Sequence, residues 1–288
     1  MPDKMEQVHA YYDYILPLIL EAGKSMASAG KVDVEYKESK VWNLVTIYDK
    51  KIEKILIRKI KERYPDHKHI GEEETEKAKE MAKLTDAPTW IIDPIDGTAN
   101  FTRKMPITCI SVGLAVNKEQ VLGIVYNPYL DELFTAFKGE GAYFNGKRIY
   151  TSGCTDIKKS VMNYEISVAR RNEHYYNLYM YRFKHLIKII QGFRSLGCVV
   201  LGLCYVACGR TDAYQCDGLY PWDAAAGTLI VREAGGYVTD SSGKEFDLMD
   251  PNFLATATKQ LSDEYMAIER LADEEQINSA KENKSFVP

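Results

Sequence analysis

Between residues 107 and 144 the chain reads as four consecutive strands, and this stretch constrains the fold more than any other. Apolar, β-branched and aromatic residues dominate 107–116, 121–126, 133–137 and 142–144. The first two segments flank a short polar turn, Asn117-Lys118-Glu119-Gln120, and Asn145-Gly146 is a hairpin signal ahead of Arg148-Ile149. Strands joined this tightly form an antiparallel meander. Two upstream helices are suited to cover it. Residues 5–29 place Val8, Tyr12, Ile15, Leu16, Ile19 and Ala22 on one helical face, and a second helix over 46–64 is stopped by Pro65. A short strand then ends at Ile70, a charged helix follows Thr75, and Trp90-Ile91-Ile92 reads as a buried strand.

The second half alternates differently. Helical candidates at 173–190, 197–208 and 223–233 lie among strands near 161–164, 213–215 and 237–239, which suggests a smaller α/β half. The expected organisation is an N-terminal α+β half over 1–150 and a C-terminal α/β half over 151–277. A polar, disordered tail is expected over 278–288. No Pro/Gly/Ser linker separates the halves, so the boundary near 150 is soft.

With 288 residues, 45% hydrophobic and 27% charged, the chain has the composition of a soluble globular protein with a sizeable core. A net charge of -4 argues against a nucleic-acid surface, which needs a basic face. The lysines and arginines of 50–63 alternate with Ile52, Ile55, Leu56 and Ile60, so they read as the wet side of an amphipathic helix. No run is long enough to span a membrane, and Met1-Pro2-Asp3-Lys4 lacks the character of a signal peptide, so a cytoplasmic protein is expected. The six cysteines are then expected as free thiols, and their spacings match no usual zinc pattern.

Chemistry concentrates in three acidic segments. Asp93-Pro94-Ile95-Asp96-Gly97-Thr98 follows the buried strand; Pro94 is expected to turn the chain out of it, and Gly97 permits a tight turn with outward amides. Two carboxylates, a hydroxyl and free amides at a strand end offer hard oxygen ligands to a divalent cation and donors to a phosphate. Asp-Pro and Asp-Gly are also common turn dipeptides. Ile70-Gly71-Glu72-Glu73-Glu74 taken alone is a solvated helix start, and Asp223 of Trp222-Asp223-Ala224-Ala225-Ala226-Gly227 serves equally well as a helix N-cap. Their conjunction, in this order, is far more specific than any one of them.

With these motifs the chain resembles the inositol monophosphatase family of Mg²⁺-dependent, lithium-sensitive phosphatases. The resemblance covers roughly residues 5 to 275 and includes Asn43-Leu44-Val45-Thr46-Ile47-Tyr48-Asp49, Gly192-Phe193-Arg194-Ser195-Leu196-Gly197 and Glu233-Ala234-Gly235-Gly236. It implies a layered α-β-α-β-α sandwich of the sugar-phosphatase type, mixing α+β and α/β halves, usually as a homodimer. It implies hydrolysis of a small phosphate monoester, first of all myo-inositol monophosphate, with two or three Mg²⁺ ions per active site. Glu72, Asp93 and the Ile95 carbonyl would hold one ion, and Asp93, Asp96 and Asp223 a second; a third would sit near Glu72 through water. Water is then the nucleophile, oriented by Thr98, with Asp49 paired to the threonine hydroxyl and Glu72 counted with them as catalytic. The amides of Gly97 and Thr98 would bind phosphate. Asp96, Gly197, Cys198, Val199, Cys216 and Asp223 fall where the family contacts substrate.

Departures from the family gather at the alcohol end. Cys216 stands in place of a glutamate that contacts ring hydroxyls, Cys198 and Val199 in place of threonine and alanine, and Val168 in place of a serine. Asn43 replaces an aspartate. Losing hydrogen-bonding groups weakens discrimination between alcohols. Another sugar phosphate or a nucleotide 3′-phosphate therefore stands as an alternative substrate, and a non-catalytic paralogue as the alternative from another class.

Overall fold

The computed structural model describes residues 4–30, 33–36 and 44–285, with side chains through 279. Asn43 lies outside the described residues. Helices α1 (Lys4–Ala27) and α2 (Ile47–Arg63) form where the apolar periodicity places them. Thr46 caps α2 in a capping box with Asp49: the Thr46 amide donates to Asp49 Oδ2 at 2.8 Å, and the Thr46 hydroxyl donates to the same oxygen. A short antiparallel pair, β1 (Val34–Tyr36) and β2 (Leu44–Thr46), precedes α2.

The expected meander is the body of a seven-stranded sheet. Its strands, in spatial order, are β3 (Lys68–Gly71), β4 (Thr89–Asp96), β5 (Cys109–Val116), β6 (Glu119–Asn127), β7 (Glu132–Phe137), β8 (Gly141–Phe144) and β9 (Lys147–Arg148). Only the β3–β4 pairing is parallel, and its crossover carries α3 (Glu72–Ala78); the short α4 (Thr98–Thr102) follows β4. Two local expectations are corrected here. Pro94 does not end β4; the strand continues through Asp93-Pro94-Ile95-Asp96 and shifts register between Asp93 and Asp96. A bulge tolerates proline because a residue there need not donate to the ladder. Helix α3 begins at Glu72 rather than after Thr75, since acids in a first turn complement the helix dipole.

The second sheet has five strands in the order β11 (Gly192–Arg194), β10 (Val161–Tyr164), β12 (Ala213–Cys216), β14 (Phe253–Thr256) and β13 (Tyr237–Thr239). The first three run parallel, and β14 is antiparallel to both of its neighbours. Helices α1 and α2 cover the outer face of the large sheet, where Ile15, Ile19, Leu56 and Ile60 pack with Trp90, Ile92 and Ile124. Each such side chain contributes about 1.5–3 kcal/mol on burial.

Between the sheets lie α6 (Val199–Ala207) and α7 (Pro221–Glu233). Both are apolar nearly all round, as a helix buried on every side must be. Outside the small sheet lie α5 (Glu173–Leu186) and α8 (Lys259–Ser285). The result is the α-β-α-β-α sandwich. Its central core joins Ile91, Val125 and Phe134 to Leu203, Ile230 and Phe253, so the halves divided near residue 150 share a core. Helix α8 runs on to Ser285, so residues 278–285 are helical where composition alone leaves a disordered tail.

Candidate active site

Strand β4 brings Asp93 and Asp96 to one end of the large sheet; α3 adds Glu72 from one side and α7 adds Asp223 from the other. Small residues in α7 make the last approach possible: Ala225 packs so tightly on Gly113 of β5 that a Cβ there would lie 2.8 Å from the alanine Cβ. Asp223 is the third residue of the helix, and its Oδ2 accepts the Tyr220 amide at 2.8 Å. It is therefore not the N-cap that the sequence allowed, a place Tyr220 takes, but an acid of the first turn that caps the helix start and also lines the cleft.

The cleft has a volume of about 250 Å³, and Glu72, Asp93, Asp96 and Asp223 all line it with Ile95, Gly97 and Thr98. A larger open groove of about 1490 Å³ runs between α2 and α3, walled mainly by lysines and glutamates. It contains none of Asp93, Asp96 or Asp223; the acidic motifs converge on the smaller cleft instead.

Burial pushes the Asp93 carboxyl well above the usual range, and the neighbouring Glu72, Asp96 and Asp223 add to the rise. Its Oδ1 accepts the Ile95 amide at 3.0 Å. Burial also raises Asp96, against the pull of the Cys198 thiol and the Val200 amide on its carboxylate. Four acids crowded in one place repel one another unless a cation lies among them. An all-oxygen set of carboxylates plus one backbone carbonyl suits a hard divalent ion such as Mg²⁺. The residues present therefore fit the metal.

Thr98 Oγ1 stands 3.0 Å from the Ile95 carbonyl and 3.4 Å from Asp49 Oδ1. Asp49 itself is buried beneath the cleft, and that burial pushes its carboxyl up to about 6 against the bonds from Thr46. Gly97 takes φ +81°, and a Cβ on it would meet the Ile107 carbonyl at 2.9 Å, so only glycine makes this turn unstrained.

Of the residues that the resemblance sets at the alcohol end, the structure brings together Gly197, Val199 and Val168 but not the two cysteines. Cys198 is fully buried, its thiol donating to Asp96 Oδ2 at 3.0 Å. Cys216 is also fully buried, taking a hydrogen bond from the Tyr179 hydroxyl at 3.6 Å. Neither lines the cleft, so the structure does not bring them together with the other residues expected to contact substrate. The adjacent Asp217 is turned away as well, onto Ser241 and Gln215.

Four further residues escape sequence reasoning. Glu165 accepts the Leu196 amide at 2.8 Å and the Ser195 hydroxyl at 3.0 Å, holding the loop before Gly197 against the cleft. Asn100 Nδ2 donates to the Ile107 and Leu196 carbonyls at 2.7 and 2.8 Å, tying that loop to the turn after Asp96. Arg170 and Arg171 line the lip. All stand outside the acidic motifs and carry no local signal.

The model of the inositol monophosphatase family matches residues 12–274. Inositol monophosphatase 1 of Bos taurus is 41% identical over 267 residues, spanning 92% of this chain and 94% of its own. Inositol monophosphatase 2 of Solanum lycopersicum is 45% identical over 217 residues, 75% of this chain and 82% of its own. Among solved structures, the IMPase of Thermotoga maritima superposes with a TM-score of 0.79 at 31% identity, covering 93% of this chain and 99% of that one. The extragenic suppressor protein suhB of Bartonella henselae gives 0.78 at 30% identity, covering 91% and 98%.

Proposed function

The chain belongs to the inositol monophosphatase family, and on that footing we propose that it hydrolyses myo-inositol monophosphate to inositol and phosphate with Mg²⁺. As a member it is a phosphoric monoester hydrolase acting on inositol phosphate or a related ester. The observation that carries the reading is the convergence of Glu72, Asp93, Asp96 and Asp223 on one cleft, where burial and the other three acids raise the Asp93 carboxyl.

Glu72, Asp93 and the Ile95 carbonyl would hold one ion, and Asp93, Asp96 and Asp223 another, with a third near Glu72. Bound there, Mg²⁺ would neutralise the ester oxygens and make water a competent nucleophile. Asp49, ionised above about pH 6, can only accept a hydrogen bond. It stands 3.4 Å from the Thr98 hydroxyl as a second acceptor beside the Ile95 carbonyl at 3.0 Å, and a Thr98 that donates to either leaves its oxygen to accept a hydrogen bond from the attacking water. The amides of Gly97 and Thr98 are assigned to the phosphate, and Gly197 and Val199 to the alcohol. A homodimer, lithium sensitivity and a cytoplasmic location belong to this same proposal. Among the described residues no helix is long and apolar enough to cross a membrane.

A second reading concerns the alcohol. Val168, Val199 and Leu219 give that end an apolar wall, and Arg170 and Arg171 set positive charge at its lip. This favours an ester with fewer hydroxyls to recognise or a further anionic group, such as another sugar phosphate or a nucleotide 3′-phosphate. The deciding experiment assays a panel of phosphate monoesters with Mg²⁺, with EDTA and with lithium. Inositol monophosphate is expected to lead the panel, with activity lost in EDTA and reduced by lithium. Hydrolysis at full rate in EDTA overturns the metal mechanism, and a clear preference for a sugar or nucleotide phosphate selects the second reading.

A further inference from the structure

Next to Asp96 lie two thiols that the phosphatase chemistry does not use. Cys109 comes from β5 and Cys198 from the residue that caps α6; their sulfurs are 3.8 Å apart. Cys198 Sγ is 3.0 Å from Asp96 Oδ2 and 3.6 Å from the Asp96 carbonyl oxygen. The two sulfurs and a carboxylate oxygen lie within 4.8 Å of one another, and all three residues are buried. Buried thiols usually pack as small apolar groups. Here they share their pocket with a carboxylate, which supplies a third anionic ligand.

The spacing also matches a metal. Two thiolates bound at about 2.3 Å to a tetrahedral ion stand about 3.8 Å from each other. With a carboxylate and a carbonyl oxygen beside them, the sulfurs make an S₂O₂ set that prefers a soft or borderline cation to Mg²⁺. Sequence spacing hides the arrangement, since Cys109 and Cys198 are 89 positions apart.

We propose that Cys109, Cys198 and Asp96 bind a thiophilic divalent cation of the Zn²⁺ and Cd²⁺ type. Each thiol gives up its proton to solvent as the ion binds, and the ion takes the Asp96 oxygen now hydrogen-bonded by Cys198. Asp96 lines the cleft, so the cleft is the route of entry. One consequence rests on the phosphatase reading: a cation here removes Asp96 from the Mg²⁺ set and inhibits hydrolysis.

The test titrates Cd²⁺ into the metal-free full chain and follows the sulfur-to-cadmium charge-transfer absorption, which needs no enzymatic activity. One Cd²⁺ per chain with that absorption is expected. In Cys109→Ser and Cys109→Ala the absorption should fall and Cd²⁺ affinity drop at least about tenfold, with the thermal transition retained as evidence of folding. Replacing the partly exposed Cys154 and Cys208 together should leave the absorption intact. Cadmium binding without the absorption in the unaltered chain overturns the proposal, as does an absorption that survives loss of Cys109. Because the readout is optical, it stands even if the panel of esters finds no phosphatase activity.

Discussion

The carboxylate of Glu53 occupies the space a side chain on Gly71 would need: a Cβ there would lie 2.6 Å from Glu53 Cδ. The same carboxylate accepts the Glu73 and Glu74 amides at 2.8 Å each and so caps the first turn of α3. Glu72 sits between these contacts. Helix α2 thereby sets the position of one proposed metal ligand.

Gly71→Ala is expected to displace Glu53, lose both amide bonds and shift Glu72. Overpacking of this kind costs about 1–3 kcal/mol. Hydrolytic activity should fall further than the stability change alone explains. In Gly71→Ala/Glu53→Ala the clash is gone, so the double variant should be less destabilised than the sum of the singles. Thermal melts of the four proteins check this; strict additivity would mean that the two side chains do not meet.

Asp93→Asn should act in opposite directions on stability and activity. The amide oxygen can still accept from Ile95, but the charge that burial, Glu72, Asp96 and Asp223 all oppose is gone. In EDTA the variant should melt higher than the unaltered protein. With Mg²⁺ its turnover should be lower by about a hundredfold or more, the loss expected when an interaction worth some 3 kcal/mol in the transition state is removed. A variant that melts lower in EDTA, or that turns over normally, contradicts the arrangement.

Glu269 provides a pH test far from the cleft. It is fully buried, 2.9 Å from Arg182, and burial outweighs the pull of that guanidinium to push its carboxyl up to about 8 from 4.5. Asp217 and Asp273 push in the same direction. The folded state then holds a proton more tightly than the unfolded chain. The resulting stability is complete below the unfolded value near 4.5 and is lost as pH rises through the folded value near 8. Glu269→Gln cannot titrate, so its melting temperature should gain on that of the unaltered protein between about pH 5 and 8. Parallel curves would mean that Arg182 keeps Glu269 ionised.

Cys216→Glu restores the acid that the family resemblance places there, yet it should not improve hydrolysis of inositol monophosphate. The site is sealed by Tyr179 and the surrounding core, so the new carboxylate would enter without water. Burying such a group shifts its pKa by about 3–5 units, equivalent to roughly 4 kcal/mol or more. A large fall in melting temperature is expected. A variant that stays stable and gains in kcat/KM would show that residue 216 faces the alcohol.

The residues proposed to carry chemistry are legible wherever they sit in a local pattern. Asp93-Pro94-Ile95-Asp96-Gly97-Thr98 and Trp222-Asp223-Ala224-Ala225-Ala226-Gly227 combine turn chemistry, acidity and small residues within a few positions, and the meander announces itself through tight polar turns between apolar runs. Such signals are short-range, and sequence displays them directly. Glu53, Glu165, Cys109 and Asn100 are single letters without a pattern; each gains meaning only from a partner distant in sequence, Glu53 where α2 meets α3 and the others where the chain around 196–198 meets the strand ends. Cys216 shows the reverse case. The family resemblance sets it where a substrate-contacting glutamate is expected, but the direction of its side chain is set by packing against Tyr179. Strand alternation fixes which residues share a face, and only the layer laid over that face decides whether it meets solvent or core.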